Sequence, residues 1–274
     1  MIDRILFPVD FSPSCAAMAP FVQRAATLFR SSVTLLHVCD LMSHNGFELY
    51  VRSPQEIAET HLCVARGELE SFLASEFPQA TCRRILRSGD ASAEIVNVAR
   101  TEDIDLIVIP THAGQFRRLV LGSTTAKVLD QVHCPVLTTK HAEIIFPGPL
   151  EHRVWLCAVS LSCDSERVLA FASRASATVG AKLSVIHVID AHDPIKTIEK
   201  SVRRRMEKLF EKVGWEGEFK VAVGSISQAL LETARACDAD LLVIGRTLGS
   251  GPFEQIQGLT YELIRDSPCP VVSV

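Results

Sequence analysis

The chain of 274 residues lacks three things that would place it at once. It has no Gly-Lys-Ser/Thr phosphate loop, which excludes a Walker-type nucleotide hydrolase, and no Ser-Gly-Gly-x-Asp loop of the pyrophosphatase kind after its first apolar run. It has no Cys-x-x-Cys pair, although nine cysteines are present. Most of those (Cys39, Cys134, Cys157, Cys237, Cys269) sit inside apolar runs, so they read as small buried hydrophobes in a reducing compartment. A metal or redox role for His37, Cys39 and Asp40 is disfavoured because neighbouring strand residues face opposite sides of a sheet. No apolar stretch approaches the roughly 18 residues of a membrane helix. Met1-Ile2-Asp3-Arg4 enters a strand-like run at once and leaves no room for a signal peptide, so a cytoplasmic location is expected. Positive charge is not in excess either. A formal charge of −4 argues against a protein that coats nucleic acid.

What is present is ordinary for a globular protein, 47% hydrophobic and 22% charged, and its length suits one or two domains. The most informative stretch runs from Asp103 to Lys140. Ile104-Asp105-Leu106-Ile107-Val108-Ile109 reads as a strand, interrupted by Pro110-Thr111-His112-Ala113-Gly114. Arg117-Arg118 and an apolar patch lead to Gly122-Ser123-Thr124. A helical pattern over Thr125–Gln131 follows, and Cys134-Pro135-Val136-Leu137-Thr138-Thr139 closes the stretch as another strand. A strand, a small-residue loop and a helix opening on Gly-Ser-Thr suit an anion held by backbone N–H groups and hydroxyls.

The chain also repeats itself. His37-Val38-Cys39-Asp40 recurs as His187-Val188-Ile189-Asp190, and Leu6, Val9 and Ser12 recur as Leu156, Val159 and Ser162, at an offset of 150. Gly89, Ala99-Arg100, Asp105 and Cys134-Pro135-Val136 recur as Gly224, Ala234-Arg235, Asp240 and Cys269-Pro270-Val271, at an offset of 135. The 15 residues missing from the second copy must therefore fall between its second and third strands, where the first copy carries Leu41–Pro54. Domains of 1–141 and 152–274 follow, with a linker over 142–151 containing Pro147-Gly148-Pro149.

In the first copy, strands are expected over Arg4–Val9, Ser32–Val38 and Thr81–Leu86. Helices are expected from Ser12-Pro13-Ser14 to about Phe29, over Gln55–Glu76 before Pro78, and over Ser92–Thr101 after Gly89-Asp90. In the second copy strands are expected near Val154–Val159, Leu183–Val188, Phe219–Val223, Leu241–Ile244 and Pro270–Ser273. Largely apolar strands alternating with helices mean parallel sheets covered on both faces, an α/β fold.

Ile5-Leu6-Phe7-Pro8-Val9-Asp10, Leu35-Leu36-His37-Val38, Asp105–Ile109, Leu119-Val120-Leu121-Gly122-Ser123 and Cys134-Pro135-Val136-Leu137 together resemble the universal stress protein family in its tandem form. The resemblance implies two Rossmann-like domains of the adenine nucleotide alpha hydrolase type. Each would hold a five-stranded parallel sheet of order 3-2-1-4-5, with its crevice at the ends of strands 1 and 4. It implies ATP or ADP, with or without Mg²⁺, held by Pro8, Asp10, Val38, Ile109, Thr111, His112, Gly114, Gly122, Ser123 and Thr124. Asp10 matches the family residue at adenosine, and Val38 a backbone contact to adenine. ATP-binding members carry Gly-x-x-Gly, nine residues, then Gly-Ser/Thr. Here Pro110 and Ala113 take the two glycine positions, with Gly114 beside them, and only eight residues separate Ala113 from Gly122. Proline removes one N–H donor, and a lost charge-assisted bond costs about 1.5–3 kcal/mol.

The second copy departs further: Ser160 replaces Asp10, Gly258-Leu259 replaces Gly122-Ser123, and Glu254 enters the loop after Gly245 and Gly249. One sensing domain and one structural or partner-binding domain are expected. From the residues alone His112 reads as a loop histidine, with contact to a phosphate or an acid-base role as the alternative. Arg117-Arg118 reads as a solvated helix approach, with anion steering as the alternative. His37 and His187 read as structural and Lys200–Lys212 as a surface helix. The function expected is a nucleotide-binding stress regulator acting through shape or an unnamed protein partner, at most a slow ATPase. The alternative is a nucleotide-free scaffold with a vestigial site. Family precedent pairs domains through their fifth strands, which implies a pseudo-dimer within the chain and is compatible with a homodimer.

Overall fold

The structure is a computed structural model describing residues 2–40, 53–111, 121–139, 154–190, 195–246 and 253–274. The expected linker and most of the Leu41–Pro54 loop lie outside these. The chain divides into two compact units, Ile2–Cys134 and Pro135–Val274.

The first unit contains β1 (Arg4–Pro8), α1 (Pro13–Phe29), β2 (Ser32–Cys39), α2 (Pro54–Ser71), β3 (Cys82–Ser88), α3 (Ala91–Thr101), β4 (Leu106–Pro110) and α4 (Ser123–Gln131). Its strands lie in the order β3-β2-β1-β4, all parallel, with Ile5 against Val33 on one side and Leu106 on the other. Central strands of this kind bury both faces, and Ile5, Leu6, Phe7, Leu106 and Ile107 are at most 1% exposed.

The second unit begins with β5 (Val136–Thr139) and continues with β6 (Val154–Ala158), α5 (Ser165–Val179), β7 (Lys182–Ile189), α6 (Ile195–Val213), β8 (Phe219–Val223), α7 (Ile226–Ala236), β9 (Leu241–Ile244), α8 (Phe253–Asp266) and β10 (Val271–Ser273). Strands β8-β7-β6-β9-β10 are parallel and show the order 3-2-1-4-5 in full. Strand β5 adds antiparallel to β10, pairing Leu137 with Val272. Among the described residues no helix is long and apolar enough to cross a membrane.

The duplication is visible in the backbone. Phe11 and Leu161, 150 residues apart, both have positive φ (62° and 59°), as do Asp103 and Asp238, 135 apart (48° and 47°). Gly89 and Gly224, at φ of 133° and 144°, occupy a region open only to glycine, just ahead of α3 and α7. The deletion falls mainly where the sequence places it, since 14 residues (40–53) join β2 to α2 but five (190–194) join β7 to α6. The recurring aspartates are clamps. Asp105 Oδ2 accepts the Asp3 and Arg4 N–H groups at 2.8 and 2.9 Å, and Asp240 Oδ2 accepts the Val154 N–H at 3.0 Å.

Strands β4 and β5 begin two residues later than expected and β3 ends two later, and two helix boundaries differ by two residues or more. Helix α2 stops at Ser71 instead of reaching Glu76, because Leu73 turns to a φ of +52° and the Arg84 guanidinium gathers the carbonyls there. It donates to those of Leu69, Phe72 and Phe77, and a cation at a helix C-terminus is favourable. Helix α4 opens two residues early, at Ser123, with Gly122 as its N-cap.

Candidate functional site

Where β1 and β4 end and the strand order reverses, the first unit opens into a cavity of about 450 Å³. Open α/β sheets bind ligands at such a crevice, and the volume falls within the ~300–1,000 Å³ usual for small-molecule sites. Pro8, Val9 and Asp10 line it from the end of β1, Leu36-His37-Val38 from β2, and Ala91 and Ile95 from α3. Ile109 and Pro110 line it from β4, and Leu121 to Thr125 from the opening of α4. Pro110 is thus a wall of the cavity. Its carbonyl accepts the Thr125 hydroxyl at 3.1 Å.

Of the site residues expected from sequence, Pro8, Asp10, Val38, Ile109, Gly122, Ser123 and Thr124 meet around this one space. Thr111 does not line it: the residue is buried, and its carbonyl accepts the Gly122 N–H at 2.9 Å. His112 and Gly114 lie outside the described residues.

The Asp10 carboxylate is held on one side. Its Oδ1 accepts the Ser12 N–H at 3.0 Å and the Cys15 thiol at 2.9 Å. Ser12 itself caps α1, its hydroxyl accepting the Cys15 N–H. Burial pushes the Cys15 thiol up to about 12, and the Asp10 charge and hydrogen bond add to the rise, so the sulfur stays protonated and donates. Sequence reading missed Cys15, although it stands on the first turn of a helix five residues after Asp10. It also missed Phe11, whose ring stacks on His37 with centroids 4.1 Å apart. Nothing local announces that contact.

Opposite Asp10, α4 begins without a side-chain cap: Gly122 has none to offer, and no acidic residue stands in the first turn. The first N–H groups of a helix have no internal partner, and the helix dipole makes that end attractive to anions. The adjoining helix start is already occupied. Asp90 caps α3, accepting from Ala93 N–H and Ser92 hydroxyl, and these bonds, with Lys127 at 3.5 Å, hold its carboxyl down at about 2.

The equivalent cleft of the second unit is smaller, about 200 Å³, and is lined by Ser160, Leu161, Ser162, His187 and Arg205 among others. His37 and His187 play matching structural parts: each ring Nδ1 lies in hydrogen-bond contact with a carbonyl, Val9 at 2.8 Å and Val159 at 2.6 Å. Burial, with the Arg205 charge adding, lowers the His187 pKa from 6.5 against the opposing effect of the Val159 bond. The unfolded chain therefore takes up this proton more readily than the folded one, so the contribution to stability is complete above pH 6.5 and declines as pH falls below it. The urea midpoint is expected to drop between pH 7 and about 5.5 by more in the parent than in His187→Gln. Equal drops would show that this ring does not carry the effect.

A family model described as the universal stress protein family matches residues 1–140 and 152–274. Universal stress protein MJ0577 of Methanocaldococcus jannaschii is 27% identical over 155 residues, covering 51% of this chain and 96% of that protein. Universal stress protein A homolog 2 of Coxiella burnetii is 26% identical over 140 residues, covering 50% of this chain and 94% of that protein. Among solved structures, a universal stress protein from Archaeoglobus fulgidus shares the fold, with a TM-score of 0.70 at 22% identity, covering 100% of this chain and 96% of that one.

Proposed function

Because the chain belongs to the universal stress protein family, with the family unit present twice, we propose that it is a regulatory protein that binds ATP or ADP in its first domain. Binding would be signalled through a change of shape or of protein partner. The observation that carries this reading is the shared cavity: the Asp10 carboxylate stands at one wall and the uncapped Gly122-Ser123-Thr124 turn at another. With Oδ1 engaged by Ser12 and Cys15, Oδ2 is the acceptor for the ribose hydroxyls. The backbone at Val38 meets the adenine. The Ser123 and Thr124 N–H groups and hydroxyls take the phosphates, as oriented helix-start donors do elsewhere. Mg²⁺ would ride on the phosphates. No base is assigned to activate water, and the reading is non-enzymatic.

The resemblance extends the proposal to a pseudo-dimer through the fifth strands; within the second unit, β5 covers the open edge of β10. Pairing of two chains extends the same proposal.

Calorimetric titration of the whole chain with ATP and with ADP, each with and without Mg²⁺, tests the nucleotide reading. Saturable binding is expected. Asp10→Ala, which removes one charge-assisted acceptor, is expected to weaken it about ten- to hundred-fold. A folded protein that takes up neither nucleotide supports the second reading, a scaffold with a vestigial site. Proline at position 110, where the Gly-x-x-Gly pattern implied by the resemblance has glycine, favours that alternative.

A further inference from the structure

The second cleft has reversed its charge. Where the first repeat carries Asp10, the second carries Ser160, so the carboxylate is gone. In its place α6 sends Arg205 to the cavity, where Nη2 donates to the Leu161 carbonyl at 2.6 Å. We propose that this cleft, at the ends of β6 and β7, binds a small oxyanion, with Arg205 as the countercharge and the Ser160 and Ser162 hydroxyls as donors.

Three features support that chemistry. The first is that Arg205, an exposed side chain, lacks a counter-ion among the described residues. A guanidinium carries five N–H donors. Among the described residues Arg205 makes the one bond to Leu161 and no ion pair, while its neighbour Arg203 is paired with Glu199. The second is the hydroxyl pair. Ser160 Oγ and Ser162 Oγ lie 2.8 Å apart, so one donates to the other and a second hydroxyl proton remains for a ligand. The Ser162 N–H is directed at Ser160 Oγ, at 3.4 Å, which holds the pair at the strand end.

The third is size. A cavity of about 200 Å³ is below the usual range for a nucleoside, but it has room for on the order of six water-sized molecules, enough for phosphate or a short carboxylate. The other titratable group lining it, His187, has Nδ1 engaged with Val159, and its ring is kept toward the neutral form by burial. With Nδ1 taken by Val159, Arg205 is the positive charge of the cleft. The proposal stands apart from nucleotide binding in the first domain, with which it shares no residue.

The test is a titration of the whole chain at constant ionic strength, following the His187 ring resonance (assigned with His187→Gln) as inorganic phosphate or succinate is added. Constant ionic strength removes general screening as a cause of the shift. A saturable shift with one or both anions is expected, and which of them saturates distinguishes a phosphate site from a carboxylate site. Arg205→Met, which keeps the aliphatic stem, is expected to weaken that binding about ten- to hundred-fold. Asp10→Ala is expected to leave it unchanged. Ser160→Asp, which restores the carboxylate of the first repeat, is expected to abolish it and decides the matter should Arg205→Met fail to fold. The proposal is overturned if the parent shows no saturable shift with either anion. It is overturned equally if folded Arg205→Met and Ser160→Asp both bind as the parent does, which would place the anion outside this cleft.

Discussion

Gly122→Val is expected to abolish ATP binding while leaving the first domain folded. Gly122 has φ −60° and ψ 140°, a conformation any residue adopts, so the backbone itself puts no demand on glycine here. Space does. A Cβ at this position would stand 3.3 Å from the Thr111 carbonyl oxygen and 3.7 Å from Thr125 Oγ1. The two further methyl groups of valine have to go outward, over the turn where the phosphates are proposed to lie, or push β4 and α4 apart. Either outcome disturbs the 2.9 Å bond from the Gly122 N–H to Thr111 and moves the Ser123 and Thr124 N–H groups from their places. Two charge-assisted bonds lost together, at about 1.5–3 kcal/mol each, amount to more than a hundred-fold in affinity. Gly122→Ala, which needs the Thr111 carbonyl to give by only a few tenths of an ångström, should fall between valine and the parent. Calorimetric titration gives the affinities, and far-UV circular dichroism checks the fold. A Gly122→Val protein that binds ATP as the parent does would remove this turn from the site.

The largest loss of stability is expected from Leu156→Ala. Leu156 is the centre of β6, paired with Ser184 on one side and Leu242 on the other, and it is 0% exposed. Parallel strands covered on both faces leave no solvent to fill the space that truncation opens, so the transfer and cavity penalties add, at about 2–5 kcal/mol. Both tryptophans of the chain, Trp155 and Trp215, belong to the second unit, and the first adjoins the substitution. Their fluorescence in urea therefore reads this unit directly. A clear fall in midpoint is expected for Leu156→Ala, whereas Val223→Ala, on a side chain 45% exposed, should stay within about 0.5 kcal/mol of the parent. Equal shifts for the two would contradict the assignment of the core.

The Arg4–Pro8 and Val154–Ala158 strands were legible because an apolar run flanked by charge and turn residues has few other ways to bury itself. The helix start at Pro13, and that at Ala91 to within one residue, were legible because Ser12 and Asp90 are side chains that cap. The end of α2 was not, since the agent that stops it, Arg84, comes from the next strand. The same division runs through the site. Asp10 and Gly122-Ser123-Thr124 were picked out by resemblance and by their places at strand and helix ends. The thiol that orients Asp10 carries no motif of its own.

By itself the amino-acid order determined a duplicated α/β chain, the position of its shortened loop, and the carboxylate and Gly-Ser-Thr turn of the first repeat. Those features rest on local chemistry: periodic burial, capping and turn preference operate over a few residues. The meeting of Asp10 and Ser123 in one cavity and the pairing of β5 with β10 were implied by the resemblance. Only the tertiary structure decided that Cys15 holds Asp10 and that Arg205 lies beside Leu161 across 44 residues of chain. Such meetings depend on strand order and on which edge remains open. Both are properties of the packed sheet, and no short segment carries them.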